Sequence, residues 1–257
     1  MLQYVVIAVF GLAVGSFLNV VIWRVPRGKS IVSPSSRCPS CGAAIRPLDN
    51  IPVLSYLLLR GRCRYCGAGI SARYPFVEAL NAVLWAVMYW RFGMGWHLPV
   101  YLALASAFVA VVFIDLDFQI IPDSITLPGI PIALLAGMFL LPDPVARAIP
   151  LGWQASLAGA ALGFGLFWVV AVLSRGGMGG GDIKFMAVAG AATGWKGVLM
   201  TTFLGSLAGS VIGVFLMVVK GRGRKAKIPF GPFLVLGALL TLLFGQEIMR
   251  WYLDAGR

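Results

Sequence analysis

The sequence predicts an all-α integral membrane protein of about eight transmembrane helices, with a small polar domain set between the first helix and the second. Three observations predict it. Hydrophobic residues make up 60% of the 257 positions and charged residues only 12%, where soluble domains carry about 45–50% and about 25%. Mean hydropathy is +0.90, which places the chain with proteins whose solvent is lipid. Apolar runs long enough to cross a bilayer alternate with short polar breaks, and the one longer break, 24–74, collects all four cysteines.

The elements follow in order. Residues 2–23 carry no charge and are long enough to span. No basic residue precedes them, while Arg24, Arg27 and Lys29 follow at once. The segment therefore reads as an uncleaved first helix, with the N-terminus outside and residue 24 inside. Residues 24–74 hold nine of the 21 basic residues and turn formers such as Pro34, Pro39, Gly42 and Pro47. An insert of about 50 residues builds little core and needs a staple. From Tyr74 onward, helices are predicted near 75–92, 97–115, 124–141, 151–174, 182–195, 197–219 and 230–250, with Gly190 and Gly194 weakening the short run at 182–195. Three domains result: 1–23, the first helix; 24–74, the polar domain; and 75–257, a seven-helix membrane domain.

The formal net charge of +12 is first a statement of topology, because basic residues stay on the cytoplasmic side. Sixteen fall inside: the nine of the insert, Arg175 and Lys184, and Lys220, Arg222, Arg224, Lys225 and Lys227. Five fall outside: Arg91, Arg147, Lys196, Arg250 and Arg257. This split places both termini outside and the insert in the cytoplasm. The basic run 220–227 needs no nucleic acid, since topology or lipid contact accounts for it.

The cysteines sit as Cys38-Pro39-Ser40-Cys41 and Cys63-Arg64-Tyr65-Cys66, each pair followed by glycine, Gly42 and Gly67. The 21 residues between the pairs are close to the spacing of a paired C-x-x-C zinc site. Two disulfides or four free thiols are the alternatives. A cytoplasmic insert argues against disulfides. Four thiolates suit tetrahedral zinc and leave no open position for water, so the metal would be structural, and the insert becomes a small cytoplasmic zinc-stapled domain.

With only nine acidic residues and a single histidine, His97, the chemistry is narrowed. An H-E-x-x-H metalloprotease is excluded, and His97 falls on the outer side. An ionisable group at membrane depth is a functional candidate by default. Asp115, in Ile114-Asp115-Leu116-Asp117-Phe118, ends the third predicted helix, and Asp182, after Gly179-Gly180-Gly181, opens the sixth. The topology puts both at the cytoplasmic edge. Two carboxylates at one site do not both ionise easily, so one keeps a proton while the other stays charged. Such a pair activates water and protonates an amide leaving group. The glycines at 176–181 let backbone approach a substrate strand closely. Taken singly, Asp182 is equally well a helix N-cap and Asp115 an interfacial residue. Asp117 and Asp123 read as interfacial, Asp123 as a cap before Ser124. Glu78 is an acid stabilised at a helix start. Ion coupling in a transporter is the competing class; it favours inverted repeats, and none is convincing.

The Gly-x-Gly-Asp at Gly179–Asp182, with the Asp115 segment and Ile121-Pro122-Asp123, resembles the prepilin peptidase family, the type IV leader peptidases. The stretches 15–26 from Gly15, 49–56 from Asp49 and 73–78 from Arg73 to Glu78, with the two cysteine pairs, resemble the family's amino-terminal domain. The resemblance covers almost the whole chain. It implies an intramembrane aspartyl protease of the bacterial inner membrane that removes the basic leader of prepilins and pseudopilins at the cytoplasmic face. It also implies N-methylation of the new terminal residue with S-adenosylmethionine. By motif, Asp115 and Asp182 would be the catalytic pair, and Cys38, Cys41, Cys63 and Cys66 the zinc ligands. One departure is that Asn81-Ala82 stands where the family often has Thr-Gly. Residues 24–74 contain no glycine-rich nucleotide loop, so no position follows for the methyl donor.

Overall fold

The computed structural model describes residues 1–147, 150–174, 177–220 and 229–255. Arg175, Gly176, the basic residues Arg222, Arg224, Lys225 and Lys227, and Arg257 lie outside the described residues. Among the described residues there is no strand, only three isolated β-bridges. The helices are α1 (Leu2–Arg24), α2 (Leu54–Leu58), α3 (Arg73–Phe92), α4 (Leu98–Phe118), α5 (Asp123–Phe139), α6 (Gly152–Leu173), α7 (Gly180–Lys220) and α8 (Gly231–Ala255). Five of these, α1, α4, α6, α7 and α8, are long and apolar enough to cross a membrane. The protein is an all-α, multi-pass membrane protein. The chain divides into two compact units, Met1–Ile114 and Asp115–Arg257.

In the first unit, α1 packs on α3 through two glycines. A Cβ on Gly11 would stand 2.8 Å from Cα of Ala82, and one on Gly15 would stand 2.7 Å from Cα of Glu78. Close backbone approach at small residues is how helices associate in lipid, where apolar burial alone gives no drive. Asn81 is fully buried. It donates to the Gly11 carbonyl at 2.8 Å and accepts from the Ser106 hydroxyl at 3.0 Å, while Trp85 Nε1 donates to that hydroxyl at 2.9 Å. This satisfied polar chain ties α1, α3 and α4. At the foot of α1 the buried Arg24 donates to the carbonyls of Ser30 and Pro34, fixing the entry to the insert.

In the second unit, α7 is the central element, and Phe185 to Ala189 are all buried. The predicted break between 182–195 and 197–219 is present as Gly194, at φ 72 and ψ 176. Val198 then returns to within 2.8 Å of where a Cβ of Gly190 would stand. The chain thus bends sharply at Gly194, inside α7. Gly137 of α5 and Gly159 and Gly163 of α6 meet the α7 backbone so closely that a Cβ on any of them would overlap it. The start of α7 is therefore held by backbone contacts.

Two boundaries differ from expectation, and both concern acids. α4 runs to Phe118, so Asp115 lies a turn inside the helix and does not end it. The true stop is Gln119, whose φ of 55 is a left-handed helix terminus, with its N–H on the Asp115 carbonyl at 2.9 Å. Asp123 is the first residue of α5, and Pro122 takes the cap position.

Candidate functional site

Asp115 is 5% exposed. Its Oδ2 accepts the backbone N–H of Gly231, the first residue of α8, at 2.9 Å. A Cβ at position 231 would stand 2.6 Å from the same oxygen. Only glycine therefore lets the α8 backbone reach this carboxylate. Asp182, half-buried, is the third residue of α7, and its Oδ2 accepts the Gly179 N–H at 3.2 Å. It thus caps α7 from inside the first turn, reaching back as the third residue of a capping box does, and is not itself the N-cap. The two carboxylates stand within electrostatic range of each other.

Local sequence explains how the Asp182 turn is seated. Gly181 lies against the Ile121-Pro122-Asp123 connection, where its Cβ would stand 2.7 Å from Cβ of Ile121. One turn on, Lys184 Nζ meets Asp123 Oδ1 at 2.6 Å. The connection that leaves the Asp115 helix therefore grips the start of the Asp182 helix by a glycine contact on one side and an ion pair on the other. Gly231 and the Lys184–Asp123 pair were not marked by the sequence reading. A Gly-Pro step at 231–232 after a basic loop signals a helix start, but nothing in it announces a hydrogen bond to an acid 116 residues away.

In the first unit the four cysteines converge, with all four sulfurs within 4.8 Å of one another. Each pair sits on the same turn. Cys38 N donates to Ala43 O and Gly42 N to Cys38 O; Cys63 N donates to Ala68 O and Gly67 N to Cys63 O. Gly42 and Gly67 take φ 72 and 71 with open space where a Cβ would go. The requirement is thus for left-handed backbone. Cys38 Sγ and Cys66 Sγ are 3.8 Å apart. Tetrahedral Zn–S bonds of about 2.3 Å place two sulfurs about 3.8 Å apart, so the donor set fits one four-coordinate thiophilic metal. The backbone N–H groups of Cys41 and Ser40 hold the Cys38 thiol down to about 6, favouring the ligating thiolate. Arg64, within the second turn, clamps Asp49 with contacts of 2.6 to 3.1 Å, tying the metal turn to the loop that leads into α2.

Known proteins bear on both halves. The profile of the Bacterial Peptidase A24 N-terminal domain matches residues 9–92, and that of the type IV leader peptidase family matches 102–214. A prepilin leader peptidase/N-methyltransferase of Aeromonas salmonicida (strain A449) is 37% identical over 98% of this chain and 94% of its own length. The chain belongs to the type IV leader peptidase family. Membership makes it an enzyme of the peptidase class. Proteins of the same name from Pseudomonas aeruginosa and Myxococcus xanthus are 36% and 44% identical, over 95% and 83% of this chain and 91% and 63% of theirs. No solved structure matches the chain. The leader peptidase profile includes Asp115 and Asp182, and the N-terminal profile includes all four cysteines and Glu78.

Proposed function

We propose that the protein is an intramembrane aspartyl endopeptidase that removes the leader peptide of type IV prepilins and pseudopilins at the cytoplasmic membrane face. It also N-methylates the new terminal residue with S-adenosylmethionine. The observation that supports the reading is that Asp115 and Asp182, on two helices and each tied to a backbone N–H, feel each other electrostatically in a chain 37% identical to a named leader peptidase.

In this reading the pair holds one proton. The charged carboxylate takes a proton from water as it attacks the scissile carbonyl, and the protonated one delivers its proton to the leaving amine. The Gly231 N–H fixes one oxygen of Asp115, leaving the other for water. The glycines before Asp182 leave room for an extended substrate backbone. At the cytoplasmic edge the cut falls where a single-span helix meets its leader. The leader is basic and so is the insert, so the substrate's apolar helix supplies most of the binding. S-adenosylmethionine supplies an electrophilic methyl group for the second reaction. The four thiolates hold zinc, and with every position filled by sulfur its role is structural.

Purified protein incubated with a model prepilin and S-adenosylmethionine tests this by mass spectrometry of the products. The expected result is loss of the leader and gain of one methyl group at the new N-terminus. Intact prepilin after incubation would overturn the reading.

A further inference from the structure

The polar insert is not polar throughout. Between Arg46 and Arg60 the only charged residue is Asp49, and the stretch ends in Ile51-Pro52-Val53-Leu54-Ser55-Tyr56-Leu57-Leu58-Leu59. In α2, Leu54, Leu57 and Leu58 stand at i, i+3 and i+4, so they share one face. That face is uncovered: the three are 50%, 64% and 73% exposed. A contiguous apolar patch of this kind marks an interaction surface.

The contacts of this stretch fix its depth. Asn50 and Pro52 lie against Ala13, Ser16, Phe17 and Val20 of α1 across a small cavity. Val53 N–H donates to Glu78 Oε2 at 2.8 Å, and Gly15 seats Glu78 on the same part of α1. α1 is long and apolar enough to cross the membrane, and its uncharged run ends at Arg24. At 1.5 Å per residue, positions 13–20 lie about 6–16 Å inside that edge. Residues 50–53 therefore run beside the spanning part of α1. Hydrocarbon offers no hydrogen-bond partners, so backbone at such depth must be satisfied within the protein. Ser55 N donates to Ile51 O, Leu57 N to Val53 O and Leu59 N to Ser55 O. The Val53 N–H sits at the reversal, where φ is 59 and ψ −48, and Glu78 accepts it. At the base, Asp49 on the way in is clamped by Arg64 of the second cysteine turn.

We propose that residues 50–58 form a re-entrant element, anchored at its tip by Glu78, that lies in the membrane beside α1 with Leu54, Leu57 and Leu58 against lipid acyl chains. Lipid is the occupant because the element reaches the depth at which lipid is the solvent of α1. The insert is then a polar base, made of the cysteine turns and the Asp49–Arg64 clamp, with an apolar tip. Arg60, directly after the leucines, stands where basic residues flank membrane segments. The assignment is independent of the leader peptidase reading, since it rests on α1, α2 and α3 alone.

Fluorescence quenching of the full-length, zinc-loaded protein tests this in vesicles of phosphatidylcholine and phosphatidylglycerol with brominated acyl chains. A fluorescent amino acid is incorporated at one position at a time. Positions 54 and 57 should lose emission to bromine as position 9 does, where Val9 is exposed on α1. Position 44, where Ala44 is exposed beside the first cysteine turn, should keep its emission. Glu78→Ala leaves the Val53 N–H without its acceptor and should reduce quenching at position 54. Glu78→Gln keeps an acceptor oxygen and should retain it, with position 9 quenched in both. Should Glu78→Ala fail to fold, the labelled chains with Glu78 intact still decide. Emission at positions 54 and 57 as unquenched as at 44 would overturn the proposal and leave the leucine face to water or to another protein. Unchanged quenching at position 54 in a folded Glu78→Ala would overturn the anchor.

Discussion

The cysteine turns of the first unit and the carboxylates of the second are both paired sites assembled from distant segments, but different physics assembles them. Each cysteine turn is complete within six residues: two backbone hydrogen bonds and one left-handed glycine aim both sulfurs, and the turn at Cys63 repeats the turn at Cys38. Asp115 and Asp182 have no such local device. They are placed by helices that approach through Gly137, Gly159, Gly163 and Gly181, and by a Gly231 N–H from α8. A site made of local turns tolerates loose packing around it, and a site made of helix contacts does not. In the proposed reading the same contrast separates a metal that would complete a fold from carboxylates that would have to be held within fractions of an ångström to react.

The largest effect that would break this contrast is expected at Gly231. Gly231→Ala drives a Cβ into Asp115 Oδ2 and should lower kcat for leader cleavage by about 10²-fold, as misplacements of about 1 Å do, with zinc content unchanged. Cleavage assays beside metal analysis read both. Next is Cys63→Ser. The wild type should contain one zinc per chain and the variant none, with a lower Tm by scanning calorimetry because metal binding and folding of the insert are coupled. A smaller effect is expected at the ion pair beside Asp182. Exposed pairs contribute about 0–1 kcal/mol, so Lys184→Gln should cost less than about fivefold in kcat with KM unchanged. The exchanged pair Lys184→Asp with Asp123→Lys should recover part of that loss.

The smallest effect is pH-dependent. The hydrogen bond from Arg64 holds the Asp49 carboxyl below its ordinary value of 3.8. The folded state therefore binds this proton less readily than the unfolded chain. The pair stabilises the protein above pH 3.8, and that contribution is lost as pH falls through the lower folded value. Asp49→Asn should lower Tm slightly at neutral pH and make no difference in strong acid. A melting series across pH checks the sign.

The local site was legible in the sequence and the distributed one only in part. Two C-x-x-C-G motifs specify their own turns, so ligands, spacing and glycines could be read directly. Hydropathy located the helices, and the break expected between 195 and 197 falls at Gly194, one of the two glycines that weakened the run 182–195. The acids stood out because few acids exist. What joins them was not legible: Gly231 carries no side chain, and its partner lies in another helix. The extension of α4 past Asp115 was missed because charge at 115 and 117 signals the edge of the apolar run, while the helix continues to Phe118.

The central claim is that Asp115 and Asp182 act as one unit. The direct measurement is a double-mutant cycle on single-turnover cleavage of a model prepilin by wild type, Asp115→Asn, Asp182→Asn and the double variant, with circular dichroism confirming the fold of each. Asn keeps the shape of Asp and cannot carry the charge or the proton. The account predicts that each single variant falls to the rate of the double variant, because groups acting together lose everything with the first removed. Wild-type cleavage by Asp182→Asn, or losses that simply add across the cycle, would contradict it.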